Sequence, residues 1–180
     1  MAASKALRVL AFLALAALPA AARAANSCPW LTEATAGGLL GRTAVGSYTA
    51  SAAGAGSAAT APTLRMDQPG TCVFTSEDGA GVRELTITME VSSDAHAKLA
   101  GMMQACGASS QLLQAIGNEG AVCAMDTRKR QVSEKVVGRV RNQIFTITIR
   151  TTVKDDMVLN NSTLMTKVYT ASEQVAGNLF

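Results

Sequence analysis

The chain has 180 residues, of which 48% are hydrophobic and 16% charged, with 16 Lys and Arg against 13 Asp and Glu. Three of the basic residues, Lys5, Arg8 and Arg23, lie in the first 24 residues, so the remaining 180 − 24 = 156 residues carry 16 − 3 = 13 positive and 13 negative charges. A neutral chain of this length argues against a nucleic-acid partner and suits one domain with a single core.

The first 24 residues have the pattern of a secretory signal peptide. Lys5 and Arg8 accompany an apolar run over residues 9–18, and Ala22-Arg23-Ala24 offers a small-x-small cleavage site. The pattern predicts a signal peptide over 1–24 and a single domain over 25–180 that works in the periplasm or outside the cell. The apolar run is too short to span a bilayer, and no later run is long enough.

Four cysteines follow: Cys28, Cys72, Cys106 and Cys123. An even count in an exported chain favours two disulfides, and the lack of a C-x-x-C spacing argues against a redox dithiol or a zinc site. Of the three possible pairings we favour Cys28–Cys72 and Cys106–Cys123, because each would join a helix end to a nearby strand. A less favoured alternative makes Cys28 the acylated residue of a lipoprotein, but the three residues before it form a poor lipobox.

The first predicted element is a helix over 31–41, capped by Thr32, with Glu33 in its first turn and Gly41 at its end. Residues 43–63 are almost all Ala, Gly, Ser and Thr, with Tyr48 as the one large side chain. Such a composition predicts a flexible loop.

Period-two patterns then predict strands, and two further helices separate and follow them. In the clearest strand, 83–92, Leu85 and Ile87 face one way and Thr86 and Thr88 the other. The remaining predicted elements are strands 71–76 and 120–125, a helix 95–106 capped by Asp94, a short helical stretch 109–116, a hairpin of strands 133–140 and 144–152 about Arg141-Asn142-Gln143, and a final helix 162–179. Together they predict an α+β fold: one twisted, mainly antiparallel sheet of about five strands, with helices on one face.

No catalytic or metal-binding constellation is found. His96 is the only histidine, so a hydrolase triad or a two-histidine metal site has no second member. Met89, Met102 and Met103 could supply thioether ligands to Cu(I), but they lack an M-x-M or M-x-x-M cluster and core packing explains them better. We therefore expect neither enzymatic activity nor a cofactor.

The acidic pairs Glu77-Asp78 and Asp155-Asp156 fall in predicted turns, where carboxylates are normally solvated and unsuited to acid–base work. Gly79-Ala80-Gly81 is also predicted to be a turn, because no phosphate-binding helix follows it.

One charge asymmetry stands out. Residues 128–154 hold eight basic side chains, Arg128, Lys129 and Arg130 among them, against a single acid, Glu134. Lys135, Arg139 and Arg141 share one parity, so they are expected to project from one sheet face. One interpretation is a solvated face without a partner. The other is a docking surface for an anionic partner: an acidic protein, a phospholipid headgroup or a cell-wall polymer.

The order of these motifs resembles a family of small secreted proteins and lipoproteins of unknown function, best known from actinobacteria. The similar segments are Cys28-Pro29-Trp30-Leu31-Thr32 with Leu39-Leu40-Gly41, Cys72-Val73-Phe74, residues 115–121 and Arg141-Asn142-Gln143. The resemblance implies an extracytoplasmic sensor-like α+β fold, a cleft between helices and sheet, and a Cys28–Cys72 bond. It implies no catalytic residue.

The expected function is therefore a non-enzymatic, exported module of the cell envelope that binds a small ligand or a partner. The alternative is a structural or interaction protein that docks an anionic envelope component through the basic hairpin, residues 128–154.

Overall fold

A computed structural model describes residues 27–51, 65–77, 79–107, 111–123 and 131–180. The predicted signal peptide, most of the predicted loop and the basic residues 128–130 lie outside these ranges. The helices are α1 (Glu33–Leu40), α2 (Ala95–Ala105) and α3 (Asn161–Leu179), and the strands are β1 (Val45–Ala50), β2 (Gly70–Glu77), β3 (Val82–Val91), β4 (Gln111–Leu113), β5 (Glu119–Val122), β6 (Val132–Val140) and β7 (Gln143–Thr151).

The strands form one antiparallel sheet in the order β1-β2-β3-β7-β6-β5-β4. The α+β class is confirmed, but the sheet has seven strands rather than about five. The first extra strand, β1, lies in the segment predicted to be a flexible loop. Tyr48 anchors it, since its ring packs edge-on against buried Trp30 with the ring centroids 5.6 Å apart.

The second extra strand, β4, lies where a short helical stretch was predicted. Ala115 has a positive φ of 66°, and this left-handed residue does not fit a helical stretch that continues to Ile116. Residues 111–113 instead pair with β5 along the edge of the sheet.

Helices α1 and α3 cover one face of the sheet, which we call the α3 face. The main core lies between these two helices and the sheet, and it contains Trp30, Phe74 and Phe145, all with no exposed surface. The apolar stripe predicted for the last helix is confirmed, because its members are buried: Leu164, Val168, Ala171, Val175 and Leu179.

The prediction that all helices share one face is wrong. Neighbouring residues on a strand point to opposite faces, and Val136 belongs to the main core whereas Val137 packs in a second cluster with Leu99 of α2. Helix α2 therefore lies on the opposite face, the α2 face, against β6 and β7. Period-two alternation within a strand does not reveal this, because it separates the two faces without showing which helix covers either of them.

Both predicted helix caps near the sheet are confirmed. The Thr32 hydroxyl accepts from the Thr35 N–H at 3.1 Å, and Gly41 ends α1 in the left-handed conformation with φ of 79°. The Asp94 carboxylate accepts from the Ala97 N–H at 3.3 Å at the start of α2.

The disulfides pair as predicted. Cys28 bonds Cys72 across a separation of 44 residues, and Cys106 at the end of α2 bonds Cys123 beyond β5. The first bond fixes the chain before α1 to the sheet, and the second fixes α2 to its own face. Two disulfides are compatible with an oxidising, exported location.

Candidate functional surface

Of the three cations predicted to form a docking face, Lys135 and Arg139 lie on the α2 face of β6. Val137, between them on the same face, is fully buried under α2. The body of the helix thus separates the two cations. Near Lys135 lies the Cys106–Cys123 bond, since the Cys123 N–H donates to the Lys135 carbonyl oxygen at 2.8 Å.

Arg139 is engaged in a cluster with Glu119 of β5 and His96 of α2. Its guanidinium donates to the Glu119 carboxylate, which also contacts His96 Nδ1 at 2.9 Å. The hydrogen bond from Arg139, then that from His96, lowers the pKa of Glu119, against the opposing effect of burial. Arg139 therefore carries little free positive charge for a partner, and His96 is an exposed residue that contacts the same carboxylate.

Arg141 is not on a strand. It is the first residue of the two-residue turn between β6 and β7, with a left-handed φ of 56°. Its N–H donates to the Asn118 side-chain oxygen at 2.6 Å, and its guanidinium donates to the Phe180 main-chain oxygen at 3.0 Å. The shared strand face predicted for the three cations thus extends to Lys135 and Arg139, whereas Arg141 lies at the sheet end.

The α2 face also has a part that no helix in the described residues covers, and the sequence analysis did not identify it. Helix α2 packs on β6 and β7, whereas α1, which contacts β1, β2 and β3, is on the α3 face. We call the open part the threonine surface; it is half-exposed and consists of Thr71, Val73 and Thr75 of β2, Thr86 and Thr88 of β3, and Thr146 and Thr148 of β7.

The strand register aligns the threonines in rows. Thr86 pairs with Thr148 and Thr88 with Thr146, and the row continues from Thr88 to Thr71. Hydroxyl and methyl groups therefore repeat about every 4.8 Å across the strands and about every 6.8 Å along them. The signal in the sequence was two Thr-Ile-Thr segments, at 86–88 and 146–148, but their alignment requires the tertiary pairing of β3 with β7.

Charges around the threonine surface are mostly neutralised. Glu84 accepts from Arg150 at 2.6 Å, and Glu90 is paired with Lys98 of α2. Lys135 lies beside Thr148 in the register and has no ion pair within the described part of the chain. The surface is thus hydroxyl-rich and nearly neutral, and it is bordered by Lys135, which has no ion-pair partner among the described residues.

The sequence analysis also did not identify two buried carboxylates, those of Asp156 and Glu134. Asp156, predicted to be solvated, is 6% exposed: Arg83 binds it through two nitrogens at 2.8 and 3.0 Å, and Thr151 donates to it at 2.7 Å. Burial alone would raise its pKa, but these bonds and the N–H groups of residues 158 and 159 lower it from 3.8 to about 2. Glu134 is 4% exposed on the α3 face, and burial raises its pKa.

The predicted methionines pack as apolar side chains. Met89 is fully buried in the main core, and Met102 and Met103 lie partly buried against the α2 cluster. Within the described ranges no group of three His, Cys, Asp or Glu side chains is arranged to hold a metal ion. No helix in the part of the chain that the structure describes is long and apolar enough to cross a membrane.

Comparison of the chain with protein-family models, curated proteins and solved structures finds no match.

Proposed function

We propose that this chain is an exported, non-enzymatic module that binds a component of the cell envelope through the threonine surface. The observation that supports it is the register of β2, β3 and β7, which sets six threonines and one valine side by side on a part of the sheet where the charges are already paired. A face kept only for solvation would be expected to carry free Lys and Glu side chains instead.

The physical properties of the surface suit binding. Threonine is stiff at χ1, so ordering it against a partner costs little side-chain entropy. Each hydroxyl can both donate and accept, and each methyl can pack against a C–H surface. A polar, hydroxyl-rich envelope polymer offers the matching chemistry, with Lys135 at the border favouring one that carries some negative charge.

Binding at the expected cleft between helices and sheet is less favoured. The side chains between α1, α3 and the sheet form a continuous core, and Trp30, Leu40, Phe74, Phe145 and Leu164 have no exposed surface. The alternative docking site is also less favoured, because Arg139 is paired with Glu119 and α2 separates it from Lys135.

The experiment measures binding of purified protein to fractionated envelope polysaccharide, lipid and protein. Thr86→Lys places a long cation in the middle of the surface next to Glu84, and we expect it to weaken binding at least about tenfold without unfolding the protein. Thr166→Lys, on an exposed position of α3, is the matched control and should bind as the wild type does.

Mass spectrometry of protein purified from its native compartment provides the second measurement. A co-purified envelope component that Thr86→Lys loses and Thr166→Lys retains supports the proposal. Equal binding by both variants would place the contact elsewhere. Selective loss on Lys135→Glu, with binding that weakens as salt increases, would instead support docking of an anionic partner.

A further inference from the structure

The outer edge of the sheet offers a second surface. Among the residues that the structure describes, strand β1 has β2 on one side and no strand on the other. Its six residues, Val-Gly-Ser-Tyr-Thr-Ala, include neither a charge nor a proline, the two features that most often protect an edge strand. The opposite edge, β4, is only three residues long and offers much less backbone for pairing.

The ladder shows which main-chain groups point outward. The Ser51 N–H donates inward to the Pro69 oxygen at 3.1 Å, so alternate residues back along β1 also face β2. The N–H and C=O groups of Gly46, Tyr48 and Ala50 therefore point away from the sheet. Glu33 of α1 confirms this orientation, because its carboxylate accepts from the Gly46 N–H at 2.8 Å.

The outward groups match a second copy of the same strand. An antiparallel pair about a two-fold axis at Tyr48 sets Gly46 opposite Ala50 of the other copy and Tyr48 opposite itself, so each outward group meets its complement. The exposed side chains between them, Val45, Ser47 and Thr49, are uncharged and bring no like charges together.

Glu33 limits this contact without forbidding it. In the pair, the two Gly46 residues lie four positions apart along the strands, or about 14 Å, so the two Glu33 side chains are beyond the Debye length of about 8 Å and repel little. However, each carboxylate holds an N–H that the second strand requires. Association must therefore release the bond between Glu33 and Gly46 in both copies.

We propose that β1 is a self-association edge through which two copies form one continuous sheet, and that Glu33 weakens this contact by holding the outward N–H of Gly46. The pairing would also set the two threonine surfaces on one shared sheet face. This inference does not depend on what that surface binds.

The first test is sedimentation over a concentration series. We expect a weak, concentration-dependent dimer for the wild type and a dimer at least about tenfold tighter for Glu33→Ala, because two competing bonds are removed. Glu173→Ala, the same change at an exposed position of α3, is the matched control and should leave association unchanged. Wild type and Glu33→Ala that both stay monomeric at the highest concentration reached would overturn the proposal.

Ala50→Pro tests the edge itself. It removes an outward N–H and leaves the bonds between β1 and β2 in place, so we expect the fold to survive, by circular dichroism and melting, while dimerisation is lost. A folded Ala50→Pro that dimerises like the wild type would exclude β1 as the interface.

Register is tested by crosslinking, which does not depend on the proline variant. The two-fold axis sets residue 47 opposite residue 49 of the other copy at a non-hydrogen-bonded pair, where a Cα separation of about 4.5 Å allows a disulfide. Mild oxidation should link Ser47→Cys to Thr49→Cys when the two variants are mixed, and neither to itself. Self-linked products without the mixed one would contradict the proposed register.

Discussion

Replacing Asp156 with Asn isolates the buried ion pair between β3 and the segment before α3. The change keeps the size of the side chain and one acceptor oxygen for the N–H groups of Val158 and Leu159. It removes the negative charge beside Arg83, whose side chain is 7% exposed, and places an amide against the guanidinium. We therefore expect Asp156→Asn to lower the free energy of unfolding.

The size of the effect follows from the pKa of Asp156, which falls from 3.8 in the unfolded chain to about 2 in the folded protein. A difference of nearly two pH units corresponds to about 2 kcal/mol in favour of the ionised form. Removal of one partner from a buried pair costs about 3–5 kcal/mol, because the other charge stays buried. We therefore expect Asp156→Asn to lower the free energy of unfolding by about 2–5 kcal/mol.

Urea unfolding at neutral pH, with the disulfides intact, measures the change. Asp155→Asn is the control: it removes the same charge from the adjacent exposed residue, whose φ of 51° asparagine tolerates. It should change the free energy of unfolding by less than about 0.5 kcal/mol. The double variant with Arg83→Met should recover part of the loss, because it also removes the buried positive charge.

The pH dependence gives an independent check. A lowered folded-state pKa contributes stability above the unfolded value of 3.8 and loses it as the pH falls towards about 2. The difference between wild type and Asp156→Asn should thus be constant near neutrality and shrink below about pH 4. Equal stability of the two proteins at neutral pH would refute the argument that this ion pair stabilises the fold.

Two further predictions concern charges on β6. Burial raises the pKa of Glu134, so the wild type should lose stability as the pH rises through this raised pKa. Differential scanning calorimetry should therefore show that Glu134→Gln melts at a higher temperature than the wild type at neutral pH but not at pH 3. Arg139→Glu opposes the Glu119 carboxylate and should lower the melting temperature, whereas Lys135→Glu, with no described ion pair, should leave it almost unchanged. Equal melting of the last two variants would mean that the pairing with Glu119 contributes nothing.

Local patterns were enough for much of the α3 face. The alternation of Leu85 and Ile87 with Thr86 and Thr88 identified β3 and its buried side, and the stripe from Leu164 to Leu179 identified the covered face of α3. Both patterns arise from a single element, whose periodicity alone decides which side chains point the same way. The predicted helix caps and the predicted disulfide pairing, which were argued from positions along the chain, were also confirmed.

The sequence did not reveal features that depend on which elements become neighbours. Glu119 joins His96 and Arg139 from elements 23 and 20 residues away, and Asp156 is buried because Arg83, 73 residues earlier, reaches it. Strand β1 pairs with β2, and its Tyr48 ring packs against Trp30, 18 residues earlier in the chain. Such contacts leave no periodic trace in the chain.

The two surfaces in our proposals also combine features that the sequence predicts with features that only the tertiary structure sets. Hydrophobic periodicity and cysteine placement determined that the chain forms an α+β domain with two disulfides, because each signal is local or concerns a few residues. Only the tertiary structure decided that α2 covers part of the α2 face, that the Thr-Ile-Thr segments align, and that β1 is the edge strand of the sheet in the described part of the chain. Strand order and face coverage are set by long-range packing, in which one segment's exposure depends on where another segment lies.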